Sequence, residues 1–245
     1  MIQERKKFVS YIESRIEDNN TLYARFHLGT FVGGQALTIA NALRRTLLAE
    51  IPAFIITRVE IDGVNHEFAT LPGIHESILN IVLNLKKMVL VGENLNIFSL
   101  GMQEFKASLN VRGPKVVTAK DIKFPNELAP LVPSHHIATL SSSAELKFNL
   151  IIQYCDPLIL KKQNKENLNI FSQELILDTV PKPVKQVNFG IHQIPNQPND
   201  EYISFEIWTD GSISPKDALG YALEKLTRIF YDFTAFNKNS SNSLL

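Results

Sequence analysis

The sequence predicts an α+β protein, with a few helices among a larger number of strands. Three observations carry that reading. Apolar residues keep helical spacing over 35–50, 74–88 and 215–233. Strand-like alternation dominates between the helices, above all from 94 to 154. The pairs Gly33-Gly34, Asp62-Gly63, Gly113-Pro114 and Asp210-Gly211 punctuate the two patterns as turns.

In chain order, residues 1–20 are polar and charged and read as a loose arm with one strand. "TLYARFHLG" (21–29) reads as the next strand. Gly33 and Gly34 allow a tight strand-to-helix turn, and Pro52 ends the helix that follows. Over 53–68, alternation places Ile55, Thr57, Val59 and Ile61 on one strand face, and Asp62-Gly63 reads as a hairpin turn because glycine accepts positive φ. Ile74, Ile78, Ile81, Val82, Leu85 and Met88 form the stripe of a second helix. Lys86 and Lys87 near its end suit the helix dipole.

"NLNIFSL", "EFKASLNV" and "ELKFNLIIQY" then read as strands. "KKQNKEN" (161–167) reads as a solvated loop and a candidate domain boundary. "VPKPVKQVNFGIHQIPNQPND" reads as irregular and extended. Ile203, Phe205 and Ile207 line one face of a later strand. Ser214 at the N-cap, Pro215 at N1 and Asp217 at N3 announce the last helix. Its stripe is wide: Leu219, Ala222, Leu223, Leu226, Ile229, Phe230 and Phe233. Residues 237–245 read as a polar tail.

Composition narrows the function. Lys plus Arg and Asp plus Glu each total 25 among 245 residues, so the net charge is zero. A chain that grips duplex DNA through its phosphates carries a basic excess, which argues against that role here. The single cysteine, Cys155, excludes an internal disulfide framework and a Cys-based zinc site. No apolar run approaches the roughly 18 residues that a bilayer span needs. The first residues include acids and lack the apolar core of a secretory signal, so the expectation is a protein that works where it is made.

Arg44 and Arg45 stand out in a segment otherwise patterned for burial. With Leu43 set at zero and about 100° per residue, Ala36, Ile39, Ala40, Thr46 and Leu47 fall within about 60° of it. Arg45, at about 200°, faces away, and Thr38, Asn41 and Leu48 share its side. Arg44 sits on the flank near Leu37. Two readings stand: a solvated outer face with one exposed leucine, or a partner-binding stripe anchored by Arg and an apolar neighbour. The last helix poses the same choice, since its stripe can pack on the chain's own sheet or on a second copy.

Several long motifs decide between such readings. "GQALTIANALRRTLLAEIP", "VEIDGVNHEFATLPGIHESILNIVLNLKKMVL", "GPKVVTAKDI", "HIATL" and "FEIWTDGSISPKDAL" resemble, in order, the alpha subunits of bacterial-type DNA-directed RNA polymerase. The forms "GQALTIANALRR", "HEFATLPGIHESI" and "EIWTDGSISPKDAL" resemble most the plastid-encoded version of plants and green algae. The resemblance spans about residues 9–236.

It implies a discontinuous dimerisation domain from 1–56 and 175–236, an antiparallel sheet with two long helices, and an inserted mostly-β domain from 57–174. It further implies a homodimer with Leu43, Leu47, Leu219, Leu223, Leu226 and Phe230 at the interface. That dimer would be the assembly platform for the catalytic beta and beta-prime subunits. Arg45 and Leu48 match the family's contact with beta, and Lys86 matches a position tied to beta-prime. No residue here would be catalytic, since nucleotidyl transfer belongs to the complex. No cofactor is implied in this chain, with Mg and Zn in the large subunits only. DNA would be reached through the assembled complex, no membrane is involved, and the location would be the plastid or, alternatively, the bacterial cytoplasm.

Two departures qualify the resemblance. Bacterial members have Leu-Gly where this chain has Ile39-Ala40, a change that favours the helix. They also continue into a separate DNA- and activator-binding domain, and the end at Leu245 sets the expectation that none is present here. Competing readings are an archaeal or nuclear alpha-like subunit acting as a heterodimer, a small-molecule enzyme with a site between two domains, and a direct DNA binder.

Motifs for autonomous chemistry are missing from the sequence. There is no Asp-x-Asp-x-Asp cluster for Mg²⁺-assisted phosphoryl transfer. Gly33-Gly34 lacks the Gly-Lys-Ser/Thr of a phosphate loop. His27, His66, His75, His135, His136 and His192 show no ligand spacing, and adjacent strand histidines at 135 and 136 would point to opposite faces. Cys155 has no His/Asn partner by motif, and Trp208 reads as core or interface.

Overall fold

The computed structural model describes residues 8–17, 20–92, 104–157, 174–195 and 197–240. The chain is α+β and divides into two compact units, residues 1–51 with 182–245, and residues 52–181.

The first unit is built on a four-stranded antiparallel sheet. Strands β1 (Phe8–Ile16), β2 (Leu22–Val32), β12 (Gln197–Thr209) and β11 (Val184–Ile194) lie in the order β1-β2-β12-β11. Helices α1 (Gln35–Ala49) and α3 (Pro215–Ser240) pack on this unit's core. Phe26 and Leu28 of β2 and Ile203, Phe205 and Ile207 of β12 meet Leu43 and Leu47 of α1 and Leu219 of α3. Each fully buried large side chain of this kind contributes about 1.5–3 kcal/mol. Ala36 and Ala40 on α1 and Ala218 and Ala222 on α3 are fully buried, and these small residues at i, i+4 suit close packing of both helices.

Local chemistry starts and stops the helices as the sequence suggests. Gly34 takes the left-handed conformation at the N-cap of α1, with φ 85°, where a side chain would be strained. Ser214 and Asp217 form a reciprocal cap at the start of α3. The Asp217 amide donates to Ser214 Oγ at 3.1 Å, and that hydroxyl donates to the Asp217 carboxylate at 2.6 Å. Lys225 of α3 donates to the Glu50 carbonyl at 3.2 Å and lies 3.4 Å from its carboxylate. The ammonium thus serves the negative end of α1.

Two expectations change in this unit. The stretch expected to be irregular contains the regular strand β11, paired along its length with β12. Its own alternation is weak, and the neighbouring strand supplies the order. The last helix continues through Ser240, past Phe233 and into the segment read as a tail.

The second unit holds the sheet β10-β3-β9-β5, from β10 (Leu175–Ile176), β3 (Ala53–Ile61), β9 (Glu145–Cys155) and β5 (Glu104–Arg112). Helix α2 (Ile78–Lys87) and the paired strands β4 (Leu90–Gly92) with β7 (Leu128–Pro130) and β6 (Lys115–Thr118) with β8 (His136–Leu140) complete it. Ser77 caps α2 by accepting from the Asn80 amide at 3.3 Å. Ile78, Ile81, Val82 and Leu85 of α2 enter a core with Phe148, Leu150 and Ile152 of β9.

Strand β3 departs from simple alternation. A bulge between Ile56 and Arg58 leaves Thr57 extra, so Phe54 and Ile56 share the core with Val59 and Ile61. Asp62-Gly63 turns, with Gly63 at φ 76°, but no hairpin strand follows; β3 pairs with β9 and β10 instead. The strand expected over 94–100 and the loop over 161–167 lie outside the described residues. The unit boundaries fall at 51/52 and 181/182 rather than at 56/57 and 174/175. Pairing explains the difference, since the whole of β3 and Leu177 pack in the second core.

Candidate partner-binding faces

Helix α1 has two different sides. Its core side is closed: Leu43 and Leu47 are 0% and 1% exposed. Its other side carries Leu37, Thr38, Asn41, Arg44, Arg45 and Leu48, all exposed. Leu37 is 51% exposed and Leu48 38%. Among the described residues, neither Arg44 nor Arg45 makes a hydrogen bond or ion pair, and α1 itself contains no acidic residue. The helical wheel therefore separated the core face from the outward face correctly.

Helix α3 changes character along its length. Ala218, Leu219 and Ala222 are buried and Leu223 and Leu226 are half-buried against the first core. One turn later, Ile229, Phe230 and Tyr231 are 43%, 63% and 69% exposed. This corrects part of the expected dimer face. Leu43, Leu47 and Leu219 have almost no accessible surface to offer a second copy, because they hold the helices on their own sheet. Leu223 and Leu226 retain some surface, and Phe230 retains most.

The one strand expected in the first 20 residues is β1, but its exposed apolar side chains were not anticipated. Phe8, Val9, Tyr11, Ile12 and Ile16 are all exposed on this edge strand. The signal was present in "FVSYIESRI", whose apolar residues do not keep to one parity, as expected of a strand covered on more than one side. In the second unit, Leu79 and Leu83 are exposed on α2, Lys86 is half-buried and Lys87 is exposed.

The reactive side chains serve structure. His135 Nε2 bonds the Asn84 carbonyl at 2.8 Å, whereas His136 Nε2 bonds Glu76 at 2.9 Å, so the adjacent histidines have separate partners. Burial pushes the Glu76 carboxyl up. The Thr139 amide, the His136 ring and the Thr139 hydroxyl together outweigh burial and leave its pKa lowered. Burial pushes the Cys155 thiol up to about 11, which keeps it protonated and poorly nucleophilic near neutrality. Among the described residues, no group of three or more His, Cys, Asp or Glu is placed to hold a metal ion. No described helix is long and apolar enough to cross a membrane.

Large apolar side chains are exposed on β1, α1 and α3, the kind of surface found where other proteins bind. Comparison with known proteins gives the family. Residues 59–180 match the RNA polymerase Rpb3/RpoA insert domain. The DNA-directed RNA polymerase subunit alpha of Chlorella vulgaris is 38% identical, covering 98% of this chain and 100% of the relative. The subunit alpha of Marchantia polymorpha is 36% identical over 94% of this chain and 65% of its own length. That of Synechococcus elongatus is 34% identical over 91% and 70%. The chain belongs to the alpha subunits of DNA-directed RNA polymerase. Its enzymatic setting is that nucleotidyltransferase complex.

Proposed function

We propose that the chain homodimerises and that the dimer is the platform on which the beta and beta-prime subunits assemble. The observation that carries the reading is the outer half of α3, where Ile229, Phe230 and Tyr231 lie uncovered directly beyond a packed first half. A helix that leaves its own core with apolar residues still on its surface is completed by a second copy. In this reading Leu226 and Phe230 belong to the dimer face, with Leu223 beside them. Arg45 and Leu48 meet beta, and Lys86 lies on the beta-prime side.

Mg²⁺, Zn²⁺ and DNA are then handled by the large subunits of the complex. The likeness to alpha subunits of green algae, plants and cyanobacteria supports a plastid location, with the bacterial cytoplasm as the other setting. Sedimentation tests the dimer. Phe230→Asp would bury an unpaired charge at the interface and is expected to give monomers; an unchanged dimer overturns the reading. Arg45→Ala is expected to leave the dimer intact and weaken capture of the beta subunit by about 2 kcal/mol. Undiminished capture would remove Arg45 from the contact.

A further inference from the structure

Asn41 and Leu48, which share Arg45's side of α1, also lie next to Arg44 on the wheel. Leu37, Asn41, Arg44 and Leu48 follow at i, i+4, i+7 and i+11, which is one continuous line along an α-helix. All four are exposed, so the line is an apolar–polar–cationic–apolar strip about three turns long. Arg45 is displaced from Arg44 by about 100° around the axis and points to one side of the strip.

Charge says what the strip lacks. Helix α1 has no acidic residue of its own. The nearest acid along the chain, Glu50, is engaged by Lys225. The unit's other arginines on the sheet are committed: Arg25 to Glu206 at 3.0 Å and Arg15 to Glu17 at 2.8 Å. Arg44 has no such partner among the described residues. A guanidinium between two exposed leucines is complementary to a carboxylate flanked by apolar side chains.

We infer that Arg44 is a recognition residue for the beta subunit. It receives a carboxylate of that subunit, while Leu37 and Leu48 take apolar side chains on either side. The inference rests on the reading that α1 meets beta, and it adds Arg44 and Leu37 to that contact along with the chemistry of their occupant.

Capture of the purified beta subunit of the cognate polymerase by the full chain is measured across a salt series. Wild type is compared with Arg44→Glu, Arg44→Lys and Leu37→Ser. Arg44→Glu is expected to weaken capture by at least about tenfold at low salt, with the gap to wild type narrowing as salt rises. Arg44→Lys is expected to restore the salt dependence and part of the affinity, because it keeps the charge and loses the bidentate geometry. Leu37→Ser is expected to weaken capture by a smaller factor that salt leaves unchanged. Sizing of each variant follows the chain's own association. Capture by Arg44→Glu equal to wild type at every salt concentration overturns the inference alone. Monomers from Arg44→Glu overturn it too, since the strip would then be a self-interface. Failure of the wild-type chain to capture beta overturns the assembly reading, and the inference with it.

Discussion

The two units solve the same packing problem with different completeness. In the second, α2 and the strands enclose a core that includes Phe148, Leu150, Ile152, Ile81 and Leu85, with very little surface left on any of them. In the first, Leu43 and Phe205 are as well buried, yet β1, the outer face of α1 and the outer half of α3 keep large apolar side chains in solvent. The second unit exposes large apolar side chains too, among them Phe68, Leu83 and Ile176, so the difference is one of degree. The first has as tight a core and more apolar surface around it, which the proposed dimer would use.

That contrast can be broken by substitution, starting with the largest effect. Phe148→Ala empties a position that is 1% exposed and is expected to destabilise the second unit by about 3–5 kcal/mol, measured by denaturant unfolding. Leu43→Ala should cost the first unit about 2–5 kcal/mol. If the first unit draws on association, its unfolding midpoint should rise with protein concentration in wild type and Leu43→Ala alike, whereas the second unit's midpoint should not. A concentration-independent value for both would erase the contrast.

Smaller effects sharpen it. Lys225→Met leaves the Glu50 carboxylate, only 13% exposed, without its cation, and should cost about 1–2 kcal/mol in thermal unfolding. No change would mean that the end of α1 is held by packing alone. The smallest effect is electrostatic and belongs to the second unit. The Glu76 pKa is lowered from its ordinary 4.5, so its stabilisation is present above that value and is lost as pH falls through the folded pKa. Glu76→Gln should therefore lower stability at neutral pH and flatten the acid limb of the stability curve. An acid limb identical to wild type would take Glu76 out of the account.

Much of this was legible before any coordinates. Gly34, Ser214, Pro215 and Asp217 mark helix starts by local chemistry, which a sequence displays directly. The core face of α1 followed from helical geometry alone. What stayed hidden depended on distant pairing. Strand β11 looks irregular until β12 is set beside it. The resemblance put Leu43, Leu47 and Leu219 at a dimer face, whereas periodicity alone could not say whether a sheet or a second chain covers such a stripe; in this chain the three lie against their own sheet. Strand β1 was legible as a strand, but not its exposed apolar side chains, since residues that break parity do not say which face is covered.

The bulge at Thr57 has a consequence for how β3 tolerates change. The strand is written in two frames, even residues inward before Thr57 and odd residues inward after it. Removing that single residue would merge the frames and turn either Phe54 and Ile56 or Val59 and Ile61 onto the opposite face of the strand. A substitution at Thr57 touches one side chain; a deletion there is a frameshift in three dimensions, felt along the whole strand.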